Sequence, residues 1–251
     1  MKSLQKNWLA DVLSIIILLI LWQFCYFAAN EPIIFPSLSS VYTAAVIVLQ
    51  TQNFWVSYAH TMLTLLLAWF VNCVFVTISV TICMLSPLAR HIFERYCSYF
   101  MPLPSFVLIP FLLLFFGFSQ ATVYMSMILG AFWSISYQML SAIDTVVAQW
   151  SKHAHNLRWN LYDKLTKIYL PALAPQLISI CSMGWIYMWR VLITIEVAYG
   201  AIGGYFGLGS YLISLKSTLD IDRMYVILFT IAITGVIINM FLERLASRFT
   251  W

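Results

Sequence analysis

Few residues in this chain could do chemistry. His153 and His155 form an H-x-H. On a helix two such side chains point ~200° apart, so they do not close on one metal from one face. The carboxylates Asp144 and Glu196 fall at the ends of apolar runs, while Gln23, Asn72 and Gln138 lie within or beside such runs but carry no proton. A hydrolytic site needs a Ser/His/Asp set or a carboxylate pair in one plane. Here the candidates are scattered at opposite ends of the runs. A phosphate-cradling G-x-x-x-x-G-K-[ST] loop is absent, and no glycine is followed by lysine, so ATP binding by this chain is not expected. Gradient-driven carriers often use acids or histidines in mid-membrane as relays, and the runs hold none. No catalytic residue, metal or cofactor is therefore expected in the chain itself. Any work it does on a solute must draw energy from another protein.

Arg190 is the exception, a base inside an apolar run. On a helix starting near Pro171 it stands ~28 Å along the axis, near the outer surface. Snorkelling to water is its first reading and anion binding its second. Trp185, Tyr187 and Trp189 around it fit an aromatic belt at the outer interface.

The elements that hold these residues follow from composition. The 251 residues are 63% hydrophobic and 9% charged, against roughly 25% charged in a soluble domain. Lipid is the solvent that suits such a chain. Six apolar runs reach crossing length, near Val12–Ala29, Thr61–Leu85, Cys97–Phe118, Ala121–Ile143, Pro171–Ile195 and Met224–Leu242. Backbone groups must pair internally in hydrocarbon, and continuous rather than alternating apolarity selects helices over a barrel. The expected fold is an all-α integral membrane protein of about six transmembrane helices, in one domain over residues 1–251. Val41–Leu49 is too short to cross and is followed by Gln50, Gln52 and Asn53. It reads as an interfacial helix opened by Pro36, with Ser37, Ser39 or Ser40 as its cap.

Six spans with a cytoplasmic N-terminus put Lys2, Lys6, Arg90, Arg95, Lys152, Arg158, Lys164, Lys167, Arg244 and Arg248 inside, and only Lys216 and Arg223 outside. That bias places both ends in the cytoplasm. It also explains the net charge of +4 without nucleic acid. Lys2 and Lys6 precede an apolar core as in a signal peptide, but no A-x-A site follows and the next residues are bulky, so the first run is expected to stay as an anchor. Cys25, Cys73, Cys83, Cys97 and Cys181 fall in or beside the runs and read as small buried residues, not as a disulfide framework.

The largest inner segment is 144–170. Ala154, Leu157, Leu161, Leu165 and Ile168 recur in it at three- or four-residue steps, the stripe of one basic amphipathic helix. That helix is too small to fold alone, so it must lie on the membrane or dock with a partner. Outside, Gly200, Gly203, Gly204, Gly207 and Gly209 suggest a turn, a re-entrant loop or a gate hinge. A gradient-driven carrier and a membrane-embedded enzyme are the rival classes, and both want ionisable groups that the runs lack.

The inner segment resembles the E-A-A-x3-G-x9-I-x-L-P signature of bacterial ATP-binding-cassette (ABC) importer permeases. Ala154, Ile168, Leu170 and Pro171 match it, while Lys152, His153 and Arg158 stand where the family has Glu, Ala and Gly. FPSLSSV (35–41), LPSFVLIPFLLLFFGFS (103–119), Trp189 with Glu196, GLGSYLI (207–213) and ERLASRFTW (243–251) are similar, in order, to motifs of the nitrate, taurine, alkanesulfonate and bicarbonate permeases, with thiamine-precursor permeases close by. The resemblance implies a type I importer permease in a bacterial inner membrane, working as a homodimer or pseudodimer without an ATPase site of its own. Its implied partners are an ABC ATPase that binds the ATP, an extracytoplasmic solute-binding protein and a second permease copy. Segment 144–170 would then be the coupling helix between spans four and five, docking the ATPase through Ala154, Leu157, Arg158, Trp159 and Leu161. Trp189, Arg190 and Glu196 are the candidates for the translocation path.

Overall fold

A computed structural model describes residues 2–29, 31, 35–156, 160–200 and 206–247, and no strand occurs among them. The chain opens with α1 (Lys2–Ala29), then α2 (Leu38–Gln50). Ser37 caps α2 by accepting the Ser40 N–H at 3.1 Å, as the Pro-Ser start predicts. α2 stays a short helix that buries Val41, Ala44 and Val48. One residue, Thr51, separates it from α3 (Gln52–Leu85). α3 begins well before its apolar run and buries Thr61, Leu65, Ala68, Asn72, Val76 and Val80 along one face, the three-and-four spacing of a core stripe.

The third expected span, 97–118, is not one helix. α4 (Pro87–Phe100) and α5 (Ser105–Phe116) meet at a 100° bend. The break falls on Met101-Pro102-Leu103-Pro104. Each proline lacks a donor for the turn before it, and Pro104 drives Leu103 out of the α region. α5 ends at Gly117, whose φ of 63° lies in the left-handed region that favours glycine.

Next comes α6 (Gln120–Asn156), 37 residues without interruption. Beyond it lie α7 (Leu161–Lys164), a π-helical turn at Leu165–Tyr169, and α8 (Leu170–Tyr199). The stripe from Ala154 to Ile168 therefore does not lie on one helix. Asn160 stands outside helix and its carbonyl accepts the Lys164 N–H at 3.0 Å, so it starts the next helix as asparagine commonly does. The chain closes with α9 (Leu208–Ser217) and α10 (Ile221–Ser247).

α6 sits centrally, packed against α8, α3 and α5, while α8 also holds α10 and α9. Glycines let the helices close up. An added Cβ at Gly184 of α8 would stand 2.4 Å from Ile135 Cδ1 of α6, and one at Gly130 of α6 would stand 2.5 Å from Ser105 Cβ of α5. Small residues at such contacts are how helices approach where the surroundings are as apolar as the core. The outer surface carries exposed Leu63, Leu67 and Phe70 of α3, Phe111 and Leu114 of α5, and Ile233, Ile237 and Phe241 of α10, a surface suited to hydrocarbon.

By length and apolarity four helices among the described residues can cross a membrane, and five if the bent α4–α5 pair counts as one crossing. This falls short of the expected six. The sixth would be α1, whose apolar part, Val12–Ala28, is shorter than the other four and reaches only ~25 Å at 1.5 Å per residue.

Candidate functional site

The expected path residues lie on α8, and the helix turns them to different places. Glu196 is 1% exposed. Its carboxyl accepts the Thr61 hydroxyl of α3 at 3.0 Å and the Gly209 N–H of α9 at 2.7 Å. Thr61 Oγ1 in turn accepts the Leu208 N–H at 2.9 Å. The first N–H groups of a helix have no partner within it, so Thr61 and Glu196 together cap α9 and join it to α3 and α8. The glycines around the carboxyl are required by space. A Cβ at Gly207 would fall 2.1 Å from Glu196 Oε1, and one at Gly209 2.5 Å from Glu196 Cβ.

Two turns earlier, Trp189 is 7% exposed and stands over Gly235 of α10, where an added Cβ would lie 3.1 Å from its Nε1. Trp185 meets Trp69 of α3 edge-on with ring centroids 5.6 Å apart. Tyr187 shares a 3.1 Å hydrogen bond with Ser105 of α5. Each of the three rings expected in the outer aromatic belt is engaged with another helix of the same chain, and Tyr187 stays 36% exposed. Trp185, Trp189 and Arg190 line a cavity of about 540 Å³ between α8 and α10, with Gly235 and Asn239 on its far side. The structure therefore brings Trp189 and Arg190 to one cavity and keeps Glu196 apart from it, in the buried clamp.

At the opposite end of α6, Arg90 near the start of α4 pairs with Asp144 of α6 and, at 2.8 Å, with Glu94. This ties α4 to α6 three turns before Asn156. The backbone places Ala154, His153 and His155 in the last turns of α6 and Leu161 at the start of α7. Their side chains, and Leu157, Arg158 and Trp159 altogether, lie outside the described residues. Past the break, Lys167 and Asp163 pair at 2.7 Å across the π-helical turn. π turns inside helices frequently sit at functional positions. Pro171 follows two residues later, where a missing N–H already interrupts the regular ladder.

Sequence reasoning missed Thr61, Gly235, Asn239 and the Arg90–Asp144 pair. The glycine run 200–209 hinted at a close backbone approach near Glu196. Nothing in the spacing linked Thr61 to it across 135 residues.

Comparison with known proteins adds to this geometry. Residues 76–251 match the family described as binding-protein-dependent transport system inner membrane component. The chain is 23% identical over 241 residues to the taurine transport system permease protein TauC of Escherichia coli (strain K12), covering 94% of this chain and 86% of that protein. Its fold is similar to a chain of the inward-facing MetNI methionine ABC transporter, with a TM-score of 0.55 and 18% identity, over 78% of this chain and 94% of that one.

Proposed function

This chain belongs to the binding-protein-dependent transport system inner membrane components, and from that premise we propose how its parts divide the work of import. It is an ABC importer permease of the nitrate and taurine type, a transport subunit of a bacterial inner membrane whose family works with an ATPase and a binding protein. In our reading two copies pair, both ends of each lie in the cytoplasm, and the ATP is bound by the partner ATPase alone. The solute is small and is handed over from outside.

Docking of the ATPase falls to Ala154, Leu157, Arg158, Trp159 and Leu161. The observation that carries this is α6 itself. At 37 residues it is ~55 Å long, well beyond the ~30 Å of a hydrocarbon core. Its projecting end is tied back to α4 through Asp144 and Arg90. A push on the segment after Asn156 reaches Gly130 and Ile135 through an unbroken helix, and there α6 meets α5 and α8 at van der Waals contact. On the return, the π-helical turn and Pro171 give a compliant joint between the docking segment and α8. ATP binding would close the ATPases, and these two helices would carry that motion to the cavity lined by Trp189 and Arg190. Glu196 serves the path indirectly, by fixing the outer end of α8 to α9.

Purification of the complex in native membranes tests the reading. An ATPase subunit should accompany the permease, and saturable ATP binding should require it. ATP binding by the contaminant-free permease would defeat the assignment.

A further inference from the structure

Three contacts mark the seam between α3 and α8. Thr61 meets Glu196 at one end of it. Further along, Trp69 packs edge-on against Trp185 and donates its indole N–H to the Cys181 carbonyl at 3.4 Å. Rising numbers on α3 thus meet falling numbers on α8, so the two helices run in opposite senses. One turn beyond Trp69 stands Cys73, and one turn before Trp185 stands Cys181, and their thiols share a hydrogen bond. Facing thiols on neighbouring helices are the arrangement from which a disulfide closes with little backbone movement. Both are free and partly exposed, whereas Cys83 and Cys97 are buried. Beside Cys73 opens a cleft of about 260 Å³ lined by Val74, Thr77 and Ile78. Val74 and Ile78 are 43% and 51% exposed, on the surface suited to hydrocarbon. The Thr77 hydroxyl donates to the Cys73 carbonyl at 2.8 Å, so the cleft offers mainly sulfur and carbon. A reagent that enters it must dissolve in lipid. Charged thiols and peroxides stay in water, but a quinone does not.

We propose that Cys73 and Cys181 are a dithiol site for a lipid-dissolved quinone, which closes them into a disulfide between α3 and α8. Two S–H bonds break and one S–S bond forms. The thiols give up two electrons and two protons, one proton goes to each quinone oxygen, and the hydroquinone departs. A dithiol reductant reverses the step by thiol–disulfide exchange. The consequence for transport rests on the permease reading, in which α8 moves at its joint with the docking segment. Glu196 already fixes one end of α8 to α3 through Thr61. Pro175 interrupts α8 shortly before Cys181, on the side of the π-helical turn. A disulfide at Cys181 fastens α8 a second time, between Glu196 and Pro175, and stops it rocking against α3. Import then follows the redox state of the membrane.

The native complex in phosphatidylcholine liposomes tests the proposal, reduced, freed of reductant under argon, and given decylubiquinone or its quinol. Peptide mass spectrometry without reduction reads the disulfide, and ATP hydrolysis reads its effect. The quinone should join Cys73 to Cys181 and leave Cys83 and Cys97 as thiols. It should slow ATP hydrolysis about tenfold, as a blocked conformational step does, and dithiothreitol should restore the rate. The quinol should do neither. Cys73→Ser and Cys181→Ser should each hydrolyse ATP as the reduced wild type does and resist the quinone. No Cys73–Cys181 disulfide under quinone overturns the site. A disulfide with unchanged hydrolysis overturns the strap, as does slowing that persists in both serine variants. The ATPase is scored by co-purification in the same preparations. Its absence from the wild-type complex would count against the permease reading, whereas its presence without the disulfide would count against the dithiol site alone.

Discussion

Thr61 and Glu196, 135 residues apart in sequence, share a buried 3.0 Å hydrogen bond that joins α3 to α8. The same carboxyl takes the Gly209 N–H at 2.7 Å, so three helices meet on one side chain. Truncation of Glu196 would leave the buried Thr61 O–H and Gly209 N–H donors without their acceptor, at about 1–3 kcal/mol each. Glu196→Ala is expected to lower the unfolding free energy of the purified permease by about 3 kcal/mol. Glu196→Gln, which keeps an acceptor, should lose less. Denaturant titration in detergent measures both, and an Ala variant as stable as wild type would remove the clamp.

The α6–α8 contact gives a second, independent test. A Cβ at Gly184 would meet Ile135 Cδ1 at 2.4 Å and Cγ1 at 3.2 Å, and the first of these atoms is the movable end of a side chain. Gly184→Ala should therefore cost only about 1 kcal/mol, and Ile135→Val in the same chain should recover part of it. Gly184→Leu should cost about 3 kcal/mol or more, the scale of an overpacked core. Thermal melts of these three variants and of Ile135→Val alone decide this. Additive losses for the Ala and Val changes would mean that the two residues do not touch.

How much of this was legible beforehand depended on what each feature requires. Apolar length alone located α3, α6, α8 and α10, because crossing hydrocarbon constrains composition over some twenty residues. It failed at 97–118, where the apolar run is continuous but Pro102 and Pro104 turn the chain by 100°. Proline acts on the backbone and leaves hydropathy unchanged, so a reading by apolarity passes over it. The inner stripe from Ala154 to Ile168 was periodic yet crosses Asn160, where one helix gives way to another. Arg190 was conspicuous as a charge among apolar residues. Asn239 and Gly235 were not, since their place beside the same cavity depends on how α8 and α10 pack. Glu196 was noticed, but as a path residue, because sequence alone gave no sign of Thr61 or of the N-terminus of α9 beside it.

The Arg90–Asp144 pair is 30% and 51% exposed, and an ion pair with that much solvent contributes at most about 1 kcal/mol. Its expected role is to hold α4 and α6 together as they move. Asp144→Asn should leave the melting temperature nearly unchanged and lower the solute moved per ATP hydrolysed by the reconstituted complex. The exchange Arg90→Asp with Asp144→Arg should restore that ratio. A ratio unaffected by Asp144→Asn would show the pair to be incidental.

The basic residues predict a sidedness that fusions can read directly. Reporters joined after Gln52 and after Lys216 should register outside, and one joined after Gln149 inside. If Gln52 and Gln149 report the same side, α3, the α4–α5 pair and α6 do not cross as proposed.

The central claim is that the end of α6 hands the motion of an ATPase to the membrane helices. A cysteine at position 157, just past Asn156, tests it in the assembled native complex with a short bifunctional thiol reagent. Our account predicts a crosslink from position 157 to the ATPase whose yield changes when ATP is added, and it predicts that Ala154→Glu abolishes ATPase assembly while the permease remains folded and inserted. Assembly undisturbed by Ala154→Glu, with no crosslink from position 157 in any nucleotide state, would contradict it.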